Sequence, residues 1–451
     1  MNNLRLAFSR VSAAALYLLA LSLFLAPAGV AAALVLLWVG FAGEVLAGRR
    51  GVAMHPLVWL AGVFALYVLA QPLVLGLWPT GGPPPDPGAA ADWARLAVFV
   101  PVGYAVAANR DRLPLLLLLV LLGMIGGMVV RLDWVLLLRD PRGFFDARDG
   151  FGFGSIAFGL YSGTALLGLV LLRGRCWQDA AGRVRWWRVL PWLIGLAVVF
   201  QGFLMTKSRG SWLALLVGLA VGLWLERRER CRSTAVPGWG PGASAAAGRR
   251  RRLATAAVVA IVAAMVLLNG ASIVKRVTKE WGTVQGMVSG EIAFDRSSSV
   301  SLRWNAQLVG LATWAERPWL GWGAGTTRAL MDASGNPAVR SPKNDRPLKH
   351  LHDTYLELAV QLGLVGLLLF LALHLGLIGL VARQLRVAGP EQGARRDILV
   401  FLVAALVLLL VWDLFDVRAV RQDWRAFWAL LAGAALGLGL RPEGAPRGRP
   451  W

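Results

Sequence analysis

Apolar runs close to twenty residues long recur from one end of this chain to the other. Each is long enough to cross a hydrocarbon core of about 30 Å as a helix. In lipid the backbone must satisfy its own hydrogen bonds, which leaves helices or a closed barrel. The alternating ten-residue segments of a barrel are absent. Only 16% of the residues are charged, against about 25% in a soluble domain. The expected fold is therefore an all-α polytopic membrane protein of about twelve transmembrane helices. The runs lie near 11–26, 28–47, 56–78, 93–108, 113–137, 153–172, 189–206, 210–225, 253–273, 354–382, 397–416 and 424–440.

A net charge of +22 raises the question of nucleic acid. The basic residues sit between the apolar runs, however, and alternate loops receive most of them. One side takes Arg49, Arg50, Arg110, Arg112, five arginines over 173–188, the basic stretches 227–232 and 249–252, 383–396 and the C-terminal tail. Cytoplasmic loops carry such an excess, so both termini are expected inside and no nucleic-acid partner is implied. The opposite side holds 78–92, 139–154, 207–209, the long segment 274–351, and 417–423. This divides the chain into helices 1–9 over 1–273, a long outer loop over 274–351, helices 10–12 over 352–440 and a cytoplasmic tail over 441–451.

Arg5 and Arg10 precede the first run and Ala31 to Ala33 follow it, in the manner of a signal peptide. The apolar sequence continues past them, so two uncleaved spans are expected. Cys176 and Cys231 fall on the cytoplasmic side and make no framework, and no ligand spacing for a metal appears. The small residues of Gly123, Gly126 and Gly127 suit close helix packing. The stretch 233–248 is low in complexity and expected to be disordered. In the long segment, Ser299 or Ser301 caps a helix to about Ala315, with Leu308, Leu311, Ala312 and Ala315 at helical spacing and Pro318 as its stop. Thr326 caps a second helix to Met331. The stretch 334–347, with Pro337, Pro342 and Pro347, reads as loop, and no strand is evident.

Three outward clusters carry chemistry. Lys207-Ser208-Arg209-Gly210 stands between two spans with almost no loop. Snorkelling at an interface explains a lone cation there, but two in so short an outer turn run against the charge rule and suggest an anion to be held. Arg303, on the expected helix, is by itself an ordinary exposed arginine. The segment 274–351 as a whole holds eleven Lys/Arg against six Asp/Glu, a basic lining that suits phosphate on a lipid. The third cluster is His350 and His352, two of only four histidines, at the entrance to a long span. A polar residue there needs no function. An imidazole, with its ordinary pKa near 6.5, can nonetheless take a proton at neutral pH. Spacing does not choose between the two. Glu44, Glu357, His374, Asp413 and Asp416 are ionisable residues within spans, and the last two could pair with arginines at the outer end of theirs.

Four ordered motifs resemble the O-antigen ligase and polymerase superfamily. His352-Asp353-Thr354-Tyr355-Leu356 followed by Gly363-Leu364-Val365-Gly366 is similar to its His-Asn-x-(Tyr/Phe)-Leu and Gly-Leu-x-Gly signature. Pro318-Trp319-Leu320-Gly321-Trp322-Gly323 resembles its Pro-x-x-Gly-x-Gly turn. Ser208-Arg209-Gly210 resembles its Ser-Arg-Gly, and Arg303 stands where the family has an arginine opening the same helix. Asp353 departs from the usual asparagine, which leaves its role open.

The resemblance implies a multi-span (GT-C-like) glycosyltransferase with its long loop over a central cavity. The donor would be a glycan on a polyprenyl diphosphate, the acceptor lipid A–core, and the place the periplasmic face of the bacterial inner membrane. An activated donor implies no cofactor and no metal. His352 would then be the base, with His350 and Asp353 as possible supports. Arg209 and Arg303 would hold the diphosphate, with Lys207 an auxiliary cation, and direct displacement would invert the anomeric centre. An O-antigen polymerase or a protein O-oligosaccharyltransferase would share these motifs. A transporter of anions or lipid-linked substrate would instead predict paired broken helices and internal symmetry.

Overall fold

A computed structural model describes residues 2–47, 55–77, 81–178, 184–234, 245–278, 280–289, 298–342, 344–388 and 393–440. Helices coincide with every apolar run. They are α1 Asn2–Ser22, α2 Pro27–Leu46, α3 Pro56–Leu77, α4 Pro87–Ala94 with α5 Phe99–Ala108, α6 Leu113–Arg131, α9 Ser155–Leu171, α11 Trp186–Met205, α12 Arg209–Thr234, α13 Ala245–Leu268, α18 Thr354–Val387, α19 Gly393–Trp412 and α20 Gln422–Gly439. Short helices lie between them: α7 Trp134–Arg139, α8 Pro141–Asp146, α10 Arg173–Trp177, α14 Gly270–Thr278, α15 Trp281–Val288, α16 Ser299–Glu316 and α17 Thr327–Ala333. Among the described residues there is no strand, only two isolated bridges, Gln178 with Val184 and Arg340 with Pro347.

Among the described residues, seven helical segments are long and apolar enough to cross a membrane, or eight if the bent pair of α13 and α14 is one span. The other runs fall short for local reasons. Helix α9 has only 17 residues, and α19 opens with Arg395, Arg396 and Asp397. Of the stretch 233–248, residues 235–244 lie outside the described residues, as does the tail 441–451, while α12 and α13 take up the ends.

Small residues set the closest helix contacts, since helix packing in lipid gains nothing from burying apolar surface and depends on close van der Waals approach. A Cβ at Gly123 or Gly127 would meet the Leu21 or Phe24 carbonyl at 2.4 Å, so α6 rides directly on the end of α1. Gly433 and Gly437 bring α20 as closely onto Val102 and Gly103 of α5.

One departure from regular structure governs the outer surface. Helix α18 is broken at Gly363, whose φ of 66° and ψ of −174° are not helical. The break frees carbonyls before it and amides after it, which cannot be left bare in an apolar setting. The turn 318–323 takes them up: Trp322 N donates to Val360 O (2.8 Å), Gly323 N to Gln361 O (2.9 Å), Leu364 N to Pro318 O (2.8 Å) and Val365 N to Trp319 O (3.3 Å). From α3, the Tyr67 hydroxyl donates to Leu362 O at 2.6 Å and the Gln71 amide to Gln361 O at 2.9 Å. The two glycine-rich motifs are thus halves of one joint, which ties the outer segment to the bundle.

Candidate functional site

The site is built where α18 begins. Asp353 is the N-cap of α18, accepting from Tyr355 N (2.9 Å) and Leu356 N (3.0 Å). Its carboxylate serves the helix end, and burial raises its pKa while those two amides oppose the rise. Thr354, the first helical residue, is fastened to the loop after α19. Its amide donates to Asp413 O (2.8 Å) and its hydroxyl to Asp416 O (2.7 Å). This places Asp416 beside His352, with Asp416 Oδ1 3.2 Å from His352 Nδ1. His352 has φ of 58°, an uncommon left-handed conformation outside glycine, so its ring direction is a property of how its neighbours hold the chain.

His350 packs edge-on against His352, ring centroids 4.4 Å apart. Burial, then His352 and the guanidiniums of Arg303 and Arg418, push its pKa down to about 4 against the pull of Asp416. It is a neutral imidazole at physiological pH and a weak base. The histidine paired with a carboxylate is His352.

Among the described residues the cations come from at least four places. Arg303, on the first turns of α16, lies within electrostatic reach of Asp416, Glu280, Arg209 and Arg276. Ser298 caps α16 by accepting from Ser301 N at 3.3 Å, so the cap is neither Ser299 nor Ser301, the two expected from sequence. Arg209, the first residue of α12, pairs with Glu280 at 2.7 Å. Glu280 is 4% exposed, also accepts from the Ser299 hydroxyl (2.9 Å), and has Arg276 at 3.9 Å. Lys207, with φ of 49°, turns its amine to Asp146 O (2.6 Å) and Ser272 Oγ (3.2 Å), and its carbonyl accepts from Arg276 Nε (3.0 Å). The fourth source is Arg148, on the loop after α8, which donates to Thr206 O (3.0 Å) and feels Arg276, Arg303, Asp416 and Arg209.

The fold therefore assembles His350, His352, Arg303 and Arg209 around one centre, with Lys207 bracing its edge and Asp353 held in the backbone below. Sequence reasoning missed Asp416 as the partner of His352, and missed Arg148, Arg276 and Glu280. The outward placement of 139–154 was the only sequence signal for Arg148.

His350, His352 and Asp416 offer three ligand atoms within 4.8 Å of one another, a spacing that can hold a metal ion. The guanidiniums of Arg148 and Arg303 act on that place, with Arg209 and Arg276 behind them. They disfavour a further cation and favour an anion.

Residues 193–371 match the family described as O-Antigen ligase. The match takes in Lys207, Arg209, Arg303, His350, His352 and the Gly363 joint, and leaves out Arg148 and Asp416, which reach the same centre from outside it. No curated protein matches the chain. Residues 193–371 are thus similar to an O-antigen ligase domain, in a chain whose apolar helices are long enough to cross a membrane.

Proposed function

We propose that the protein transfers O-antigen glycan from a polyprenyl-diphosphate carrier to lipid A–core at the periplasmic face of the bacterial inner membrane. In this reading twelve spans cross the membrane, both termini are cytoplasmic, and 274–351 forms the periplasmic cover. The observation that carries it is the His352–Asp416 pair at 3.2 Å beside the arginine cluster.

Asp416 accepts from His352 Nδ1–H and fixes that tautomer, which leaves Nε2 to receive a proton. The acceptor hydroxyl oxygen attacks the anomeric carbon as Nε2 takes its proton. The carbon–oxygen bond to the diphosphate breaks, and the bonding pair leaves with the diphosphate. Arg303 and Arg209 stabilise the charge that develops there, with Arg148 and Arg276 enlarging the positive field. One displacement inverts the anomeric centre, and neither nucleotide nor metal takes part.

The test is purified protein with lipid-linked glycan and either lipid A–core or a second lipid-linked glycan as acceptor, in chelator and without nucleotide. Extension of lipid A–core is expected. Extension of the lipid-linked glycan alone would make it a polymerase, and a requirement for divalent metal would overturn the anion reading of the histidine cluster.

A further inference from the structure

We infer that Glu357 is the residue that positions His352 relative to Arg303, an inference that rests on the base assignment above. Glu357 stands in the first turn of α18, one turn inside the helix from the histidines, and is 2% exposed. A carboxylate so buried needs several donors, and it has three. Thr327 Oγ1 donates to Oε1 at 2.7 Å and Gln361 Nε2 to the same oxygen at 2.6 Å. The other oxygen, Oε2, accepts from Leu351 N at 2.8 Å.

Leu351 is the residue between the two histidines. Its backbone is held by Glu357, and its buried side chain packs with Ala306, Met331, Val339 and Val360. It also sits over Gly310, where a Cβ would lie 2.8 Å from Leu351 Cδ1. Ala306 and Gly310 lie on α16, the helix that carries Arg303. Leu351 is thus pinned from both sides, to α18 by its amide and to α16 by its side chain. The next residue is His352, in its left-handed conformation, so a change in the Leu351 peptide passes directly into the aim of the imidazole.

The carboxylate is itself fixed. Gln361 turns its oxygen to Trp93 Nε1 (3.0 Å) and Gly325 N (3.0 Å), which forces its amide nitrogen toward Glu357 and Thr327. Every partner of Glu357 is therefore a donor, and only an acceptor at both oxygens fits. In Glu357→Gln one end of the side chain becomes an N–H donor. Two donors hold the remaining oxygen at Thr327 and Gln361, so the new amide faces Leu351 N–H and that link is lost. Sequence spacing gave no hint of this, because Glu357 looked like one more ionisable residue in a span.

The experiment uses the full-length protein in detergent with lipid-linked glycan and lipid A–core. It compares wild type, Glu357→Gln, Thr327→Val, His352→Ala and the double variant Glu357→Gln/His352→Ala. A base misplaced by about 1 Å costs on the order of 10²-fold. Glu357→Gln is expected to lower kcat by about 10- to 100-fold with donor KM changed less than about 3-fold, and Thr327→Val to move kcat the same way by less. In the His352→Ala background Glu357→Gln should cost nothing further, since residues that act through one another do not add. If Glu357→Gln does not fold, Thr327→Val alone and combined with His352→Ala carries the same test. An equal loss in both backgrounds, or a loss confined to donor KM, overturns the inference and leaves the base assignment standing. Full transfer by His352→Ala overturns the base assignment and the inference with it.

Discussion

Replacing Gly363 with alanine puts a Cβ 2.1 Å from Trp319 O and 2.3 Å from the Trp319 carbonyl carbon. Those are backbone atoms of the turn 318–323, so no side chain can swing aside to make room. The backbone at 363, with φ of 66° and ψ of −174°, is also a conformation that costs a residue with a Cβ about 1–3 kcal/mol. Relief requires the turn to move away, and the bonds Leu364 N to Pro318 O and Val365 N to Trp319 O then lengthen. At about 0.5–1.5 kcal/mol each they bring the total to roughly 2–6 kcal/mol, a large part of the 5–15 kcal/mol that usually holds a domain together. Gly379 in the same helix is the control. Nothing lies within 4 Å of a Cβ there, and alanine should be neutral or stabilising by up to about 1 kcal/mol. Thermal unfolding in detergent, with transfer assayed in parallel, should show Gly363→Ala melting well below wild type and poorly active, and Gly379→Ala unchanged. A Gly363→Ala protein with wild-type melting and transfer would refute the joint.

His352→Ala should reduce transfer by about 10²–10⁴-fold while donor binding persists, and His350→Ala by much less; the reverse order in a transfer assay would move the base to His350. Arg303→Ala should weaken donor binding and transfer in a protein that still inserts, with lysine restoring only part because it offers a point charge in place of a planar fork. Arg209→Ala should also destabilise, because it uncovers the buried Glu280; adding Glu280→Gln should recover melting temperature but not transfer. His350 carries a pKa of about 4 against an ordinary 6.5, so the unfolded chain binds more protons between those values and stability falls as pH drops from about 6.5 to about 4. At about 1.4 kcal/mol per unit the loss approaches 3 kcal/mol, and His350→Asn should flatten that part of a melting-temperature profile. Cysteines at Ser289 and Ser244 should be labelled from opposite sides of the membrane, and labelling from one side would remove the twelve-span topology.

Much of the scaffold was legible because lipid leaves the backbone few choices. Apolar length marked a helix at every run, the position of α16 followed from apolar spacing and Pro318, and that of α17 from Thr326 ahead of it. Finer points failed where two polar residues compete for one task. Ser298 caps α16, because the Ser301 amide, not the Ser301 hydroxyl, takes part in the cap. Thr326 turns its hydroxyl back to Gly323 O at 2.7 Å, and α17 starts at Thr327 without a side-chain cap. Asp353 reads in sequence as a possible support for the histidine, and in the fold it is the helix cap that lets the histidine stand clear of the helix. Residues 354–382 read as one uniform apolar run, so the break at Gly363 was invisible: a glycine there looks like any packing glycine until the turn that fills the gap is known.

The site was legible in its local motifs and opaque in its long-range pairs. His352 and Asp416 are 64 residues apart, and nothing in the spacing of either points to the other. They meet because Thr354 spends both its amide and its hydroxyl on the loop after α19. That fastening gives Asp416 two consequences. It orients the imidazole through Nδ1, and it is the negative charge that Arg148 and Arg303 feel at the centre of the cluster. Neutralising it should therefore separate the two halves of the chemistry. In the proposed transfer Asp416→Asn removes a charge that would compete with an incoming diphosphate, so donor binding should hold or tighten. The same change leaves His352 Nδ1 without its anionic acceptor, so the proton-transfer step should slow. A lower kcat with an unchanged or lower donor KM is the pattern this arrangement predicts, and a rise in donor KM would mean that Asp416 shapes the anion site and does not oppose the anion in it.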